Sequence, residues 1–399
     1  MLVQTITPSF LKRLVRKSDI STSLNYSSND DFENTLTRVA EELNDENYQF
    51  DRFSSVSRNS MQVYKPSNFT DDLAVRSINK NLKRILKAKQ SDRQTIINQI
   101  KILLREETPF KVLKLDIKNF YESIDRKKLL HTVWDDPIIS FRTKVLIEKL
   151  FASPQINEIS GLPRGLALSS TLSEFLLQDF DQTLTAMKGV YYYARYVDDI
   201  IIFCFMNENS IKKSAIAELQ KVGLQLNEEK TKLFSAENSK TNPIEFDYLG
   251  YQFIKTGANT KTNIANKKIK KIKSRIVRSF LDHHKNPNFN LLLERIRYLA
   301  GNHRLDSRSR IEGSPLKTGI YYNYPQIDED STSLKDLDQF LRKQIFSKTN
   351  SFGHKQSQLL TSEQKNKLAK ISFKSGFNNR LTHNYTYNKM MMIKSCWEK

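Results

Sequence analysis

Three aspartates fall where neighbouring strands should end, and their chemistry is the most informative feature of the chain. In YYYARYVDDIIIFCF, residues 191–196 and 200–205 read as strands on either side of Asp198 and Asp199, a hairpin with two adjacent carboxylates at its tip. Apolar strands on both sides bury such a hairpin, and neighbouring buried acids repel each other unless a cation lies between them. A divalent metal is the natural neutraliser, since Mg²⁺ takes hard oxygen ligands from one or two carboxylates plus substrate phosphates. Upstream, KVLKLDIKNFYESID alternates Leu113, Leu115 and Ile117 around an acid, which makes a strand with Asp116 at its C-terminal edge. If the two elements are adjacent, three acids converge. Two metals about 3.5–4 Å apart would then activate an attacking hydroxyl and stabilise a leaving pyrophosphate. That is nucleotidyl transfer, and it needs no Ser, Cys or His nucleophile. Each acid alone is equally at home in a structural turn; the combination carries the reading.

The chain that must position these acids has 399 residues, with 64 Lys and Arg against 44 Asp and Glu, a net charge of +20. Apolar residues make up 38% and charged residues 27%, a globular composition and not a disordered one. Two cysteines, Cys204 and Cys396, exclude a disulfide framework and a CxxC zinc site, and a reducing cytoplasm is the expectation. No apolar run approaches the roughly 18–20 residues of a membrane helix, so no membrane partner is expected, and MLVQTITPSFLKRLVRK lacks a signal-peptide pattern.

The charge is uneven. Residues 261–320 hold 15 Lys and Arg against 4 acids, 321–350 hold 4 against 5, and 351–399 hold 9 against 2, so +17 of the +20 lies after residue 260. Within NKKIKKIKSRIVRSF, Ile269, Ile272, Ile276 and Phe280 recur at helical spacing. One face packs, while Lys267, Lys268, Lys271, Arg275 and Arg278 suit a phosphate backbone, although a basic face can also serve solubility alone. A second helical pattern covers 82–104, residues 111–260 alternate strand and helix signals, and residues 261–399 read as mostly helical, broken by a Gly-, Pro- and Ser-rich stretch near 301–325.

Five segments together resemble the reverse transcriptases. LDIKNFYESI resembles the first palm motif, GLPRGLALSSTLSEFLL the LPQG-type motif, and YVDD the YxDD motif; GLQLNEEKTKLF resembles the fourth palm motif and FDYLGYQF the primer-grip hairpin. They occur in family order. The resemblance spans about residues 60–280 and is most specific over 112–253. It implies an α+β right-hand polymerase: N-terminal extension and fingers over 1–110, palm over 111–260, basic helical thumb over 261–330 and helical C-terminal extension over 331–399. The implied activity is RNA-directed DNA synthesis from deoxynucleoside triphosphates, with an RNA template and a DNA product. GLPRGLALS, where retroviral and intron enzymes usually have Gln, resembles bacterial defence-associated enzymes of the abortive-infection kind. Alternatives are a retron-type enzyme copying a dedicated structured RNA, a protein-primed untemplated polymerase, an intron-type maturase, and, in another class, an RNA-binding scaffold that has lost catalysis. An accessory defence protein and a homo-oligomer are further implied partners.

By the same resemblance, Asp116 and Asp198 are metal ligands with the Ile117 carbonyl beside them, and Asp199 neighbours the metals and the primer end. Two Mg²⁺ ions are implied, with Mn²⁺ as the substitute. Tyr121 falls five positions after Asp116, where the family places an aromatic under the nucleotide sugar; a ring there excludes a 2′-hydroxyl. Phe120 adjoins it, and only one of the two can point into the site. Gly161, Pro163 and Gly165 shape a loop before a helix expected over 168–180, letting backbone approach a ligand closely. Arg164 stands in place of the common Gln, to contact a base edge or phosphate or to close a structural salt bridge. Lys230 matches a position that protonates pyrophosphate, or is a surface lysine. Phe246, Tyr248, Leu249 and Gly250 form the primer grip, or a packed hairpin core. Lys65 and Arg76 are the fingers' cations for the triphosphate, or surface charge.

Overall fold

The computed structural model describes residues 3–19, 29–58, 61–85, 92–237, 241–305, 316–346 and 359–397. The chain divides into two compact units, Met1–Ile96 with Thr108–Glu237, and Ile97–Glu107 with Asn238–Lys399.

In the first unit, β1 (Phe53–Arg58) and β2 (Met61–Pro66) form an antiparallel hairpin. A second sheet contains β3 (Lys111–Asp116), β4 (Val190–Tyr196), β5 (Asp199–Cys204) and β6 (Lys232–Ser235), all antiparallel and ordered β4-β5-β3-β6. β3 sets Lys111 and Lys114 among the buried Val112, Leu113 and Leu115, whereas β5 is apolar after Asp199, with Ile200 to Cys204 fully buried. Strands buried on both faces read this way. Helices Arg126–Asp135 and Phe141–Ala152 start where the sequence supplies caps: Asp125 accepts from the amides of Lys127 and Lys128, and Ser140 from that of Thr143. The helix expected over 168–180 is instead two, Ala167–Leu176 and Gln178–Thr185, with the fully buried Leu177 as the break.

The second unit opens with a meander of β7 (Ile244–Tyr248), β8 (Tyr251–Thr256) and β9 (Asn259–Ile264). Leu249 and Gly250 turn the first hairpin with φ of 45° and 85°, the left-handed pair that suits a two-residue connection. The basic helix follows as Asn266–Lys285, then Phe289–Ala300 and, further on, Thr332–Phe346. A small sheet orders β11 (Leu316–Gly319), β10 (Asn302–Leu305) and β12 (Thr382–His383). Strands β10 and β11 thus border the stretch expected to interrupt the helices, of which residues 306–315 lie outside the described residues.

The helical pattern at 82–104 resolves into Phe69–Ile85 and Arg93–Leu103, with 86–91 outside the described residues. Two lysines explain why 97–107 groups with the second unit. Buried Lys255 donates to the Leu104 and Glu106 carbonyls at 2.9 and 2.8 Å, and Lys101 donates to the Gln326 carbonyl and pairs with Asp328. Among the described residues no helix is long and apolar enough to cross a membrane.

Candidate active site

Strand pairing brings the three acids together. Asp116 and Asp199 are direct partners across β3 and β5, so their side chains share a face. Asp198 occupies the turn from β4 into β5, and its carbonyl accepts the Ile117 amide at 3.3 Å. Asp116 is buried, at 6% exposure, and Asp198 and Asp199 are half-buried. Burial, then repulsion from Asp198, pushes the Asp199 carboxyl up to about 6, and burial also raises Asp198. Lys114 and Lys230 act in the opposite direction on Asp199.

One cation is already there. Lys230 places its ammonium 3.1 and 3.3 Å from the Asp116 carboxylate oxygens, a bond that strengthens its hold on its own proton. The Asn227 amide donates to the Asp116 carbonyl at 2.7 Å and fixes the turn that carries Lys230. With 64% of its side chain exposed, Lys230 reaches in from solvent.

Among the described residues no group of three or more His, Cys, Asp or Glu side chains closes round a single ion. The donor set still fits a hard divalent cation of the Mg²⁺ kind. It offers three neighbouring carboxylates, with a lysine on one of them, and such an ion completes its shell with water and substrate phosphates.

The glycine-rich loop is clamped from two sides. The Leu162 amide donates to the Tyr121 carbonyl at 2.7 Å, and a Cβ on Gly161 (φ 65°) would lie 2.0 Å from that oxygen. On the other side the Tyr64 amide of β2 donates to the Arg164 carbonyl at 2.7 Å. A Cβ on Gly165 (φ 100°) would lie 2.5 Å from the Tyr64 carbonyl. Both positions therefore demand glycine. Phe120 enters the core at 2% exposure, which leaves Tyr121 as the half-buried ring near Asp198, its hydroxyl bonded to Ser170.

Arg164 forms a bidentate ion pair with Glu122 and stacks its guanidinium 5.2 Å above the Tyr121 ring, so of its two readings the structure contains the salt bridge. Lys65 is solvent-exposed on β2. Arg76 is not presented to this site. It is spent on Asp19, Asp72 and the Leu14 carbonyl, with a tenth of its side chain exposed.

In the second unit Phe246 and Tyr248 are buried in the hairpin's own core, at 4% and 1% exposure, while Leu249 and Gly250 form its half-exposed tip. Along Asn266–Lys285, Ile269, Ile276 and Phe280 are buried, Ile272 is half-buried, and Lys267, Lys268 and Lys271 are exposed. Arg275 and Arg278 differ from these lysines. Arg275 stacks 5.4 Å from the Trp397 ring and Arg278 donates to the Trp397 carbonyl, so both help hold the C-terminal segment.

Sequence reasoning missed Glu122 as the partner of Arg164, and missed Arg195 with Glu174 and Asp181. The available signal was an arginine inside an otherwise apolar and aromatic strand, immediately before YVDD.

Residues 64–253, just under half of the chain, match the family described as reverse transcriptase (RNA-dependent DNA polymerase). The matched stretch, of mixed helices and antiparallel sheet, contains both the glycine-loop and the carboxylate elements. Among solved structures it is similar to an apo telomerase from Candida tropicalis truncated from its C-terminal domain, at 14% identity and a TM-score of 0.40. The similarity covers 55% of this chain and 56% of that one, so the chain spans little more than half the telomerase's length. None of the curated proteins matches the sequence.

Proposed function

We propose that the protein is an RNA-directed DNA polymerase that extends a primer with deoxynucleotides along an RNA template. The observation that carries this is the juxtaposition of Asp116, Asp198 and Asp199 on paired strands within the matched domain, with Lys230 on Asp116. Asp116 and Asp198 would hold two Mg²⁺ ions. The Ile117 carbonyl, on the residue after Asp116, would be a further oxygen donor. When bound, the ions supply activation of the attacking hydroxyl and charge stabilisation on the leaving pyrophosphate.

The remaining work falls to the chain. Asp199 would add negative charge beside the metals. Lys230 carries a firmly held proton at the mouth of the site and can pass it to pyrophosphate oxygen. Tyr121, held from above by Arg164, stands where a nucleotide sugar meets it and excludes the 2′-hydroxyl. The thumb and extension assigned to 261–330 and 331–399 supply cations for the duplex backbone.

A bacterial setting and a use in defence against phage are supported by the GLPRGLALS spelling alone, and the dedicated RNA of a retron-type enzyme belongs to the same reading. Purified protein given a primed RNA template, deoxynucleotides and Mg²⁺ should extend the primer, and the Asp198→Asn protein should not. Equal extension by the two would sink the assignment. Sequencing RNA and DNA co-purified from cells separates a single dedicated template from DNA bonded covalently to protein.

A further inference from the structure

Arg195 sits on β4 with 2% of its side chain exposed, and it uses all five of its N–H groups. Nε and Nη2 donate to the two Asp181 oxygens at 2.8 and 2.6 Å. Nη1 and Nη2 donate to the two Glu174 oxygens at 3.0 and 2.8 Å. The last bond runs from Nη1 to the Val197 carbonyl at 3.1 Å. Glu174 lies on Ala167–Leu176 and Asp181 on Gln178–Thr185, so the guanidinium is anchored on both sides of the break at Leu177. Tyr193 adds its hydroxyl to Asp181 at 2.5 Å.

The fifth bond ends on an unusual residue. Val197 has φ of 62°, a left-handed conformation that a β-branched side chain rarely adopts. It immediately precedes Asp198 and Asp199. A backbone held there needs surroundings that over-determine it. A planar fork with five fixed donors can span two carboxylates and a carbonyl at once; an ammonium on a flexible stem cannot.

We propose that Arg195 is a positioning residue: anchored on Glu174 and Asp181, it grips the Val197 carbonyl and holds the turn that presents Asp198 and Asp199. The inference rests on the polymerase reading for its catalytic consequence, but its geometric part stands apart from that reading.

The test uses the full chain and two readouts. Arg195→Lys keeps a cation against the two acids and removes the fork. Amide hydrogen exchange over residues 197–200 should quicken about tenfold, with exchange across β3 unchanged. In primer extension kcat should fall at least tenfold while KM for the nucleotide stays within about twofold. Adding Val197→Asn, a residue at ease in the left-handed region, should restore the slow exchange and most of the lost kcat. A residue that merely fills the core would give no rescue from position 197. Unchanged exchange in Arg195→Lys, or failure of Val197→Asn to restore it, overturns the proposal. If Arg195→Lys does not fold, Asp181→Asn loosens the same anchor more gently and should show a smaller rise with the same rescue; no rise there also overturns it. If the wild-type protein makes no DNA, the polymerase reading fails while the exchange arm still decides the positioning claim.

Discussion

The two compact units carry equal numbers of cations, 32 Lys and Arg each, yet the first has 29 acids and the second 15. Their net charges are therefore +3 and +17. The difference teaches where each kind of chemistry can reside. In the near-neutral unit three arginines are taken up by acids, Arg76 by Asp19 and Asp72, Arg164 by Glu122, and Arg195 by Glu174 and Asp181, while Arg142 donates to the Leu43 and Asp45 carbonyls. The acids Asp116, Asp198 and Asp199 gather at one end of that unit's sheet, with Lys230 on Asp116. In the basic unit buried Lys255 leans on the Leu104 and Glu106 carbonyls, buried Arg295 pairs with Asp282 and donates to the Ile393 carbonyl, and Lys267, Lys268 and Lys271 are exposed. A metal site wants buried acids short of cations; a backbone-binding face wants exposed cations short of acids.

The largest effect expected is on the acidic side. Asp198→Asn should lower the rate of primer extension on the order of 10³-fold, as loss of preorganised transition-state charge does, with far-UV circular dichroism unchanged. A wild-type rate would break the contrast at its core.

The basic unit should show its surplus in its response to pH. Burial, and then Lys394 nearby, pushes His303 down to about 4. The folded protein keeps it neutral, whereas the unfolded chain takes a proton near pH 6.5. Stability should thus be unaffected by this group above pH 6.5 and decline as pH falls to 4, by about 3 kcal/mol in total. Urea midpoints across that window should show the decline in wild type. They should flatten in His303→Phe, since the ring already stacks on Tyr298 with centroids 4.0 Å apart.

Tyr121→Ala comes next. Removing the ring should raise ribonucleotide use about 10- to 100-fold, read as the ratio of kcat/KM for the two sugars; an unchanged ratio would remove Tyr121 from the site. Smallest is the neutralisation of Lys267, Lys268 and Lys271 to Ala. Each lost phosphate contact should flatten the slope of log affinity against log salt by about 0.9, so titrations against an RNA–DNA duplex should lose up to three such steps while the extension rate at saturation holds.

Much of the site was legible because its signals are local. Period-two alternation placed Asp116 at a strand end, and two strand runs placed Asp198 and Asp199 at a hairpin tip. The readings that changed depended on partners far along the chain. Arg76 meets Asp19 from 57 residues away and Arg164 meets Glu122 from 42. No periodicity encodes such a meeting, and a free cation and a satisfied one are spelled alike. The break at Leu177 was hidden for a related reason, since a helical pattern with a buried leucine reads as continuous.

By itself, then, the sequence determined which residue types were available and which elements would carry them: three acids on strand ends, a lysine four residues into a turn, and a cationic helix with one apolar face. Those properties follow from neighbours within a few positions, where backbone geometry dictates spacing. Only the tertiary structure decided the pairing of β3 with β5 that sets Asp116 opposite Asp199, and only it decided which cations were already spoken for. Electrostatic pairing acts through space and not along the chain, so the role of Arg164, Arg76 or Arg195 exists only once the strands and helices that carry their partners have packed.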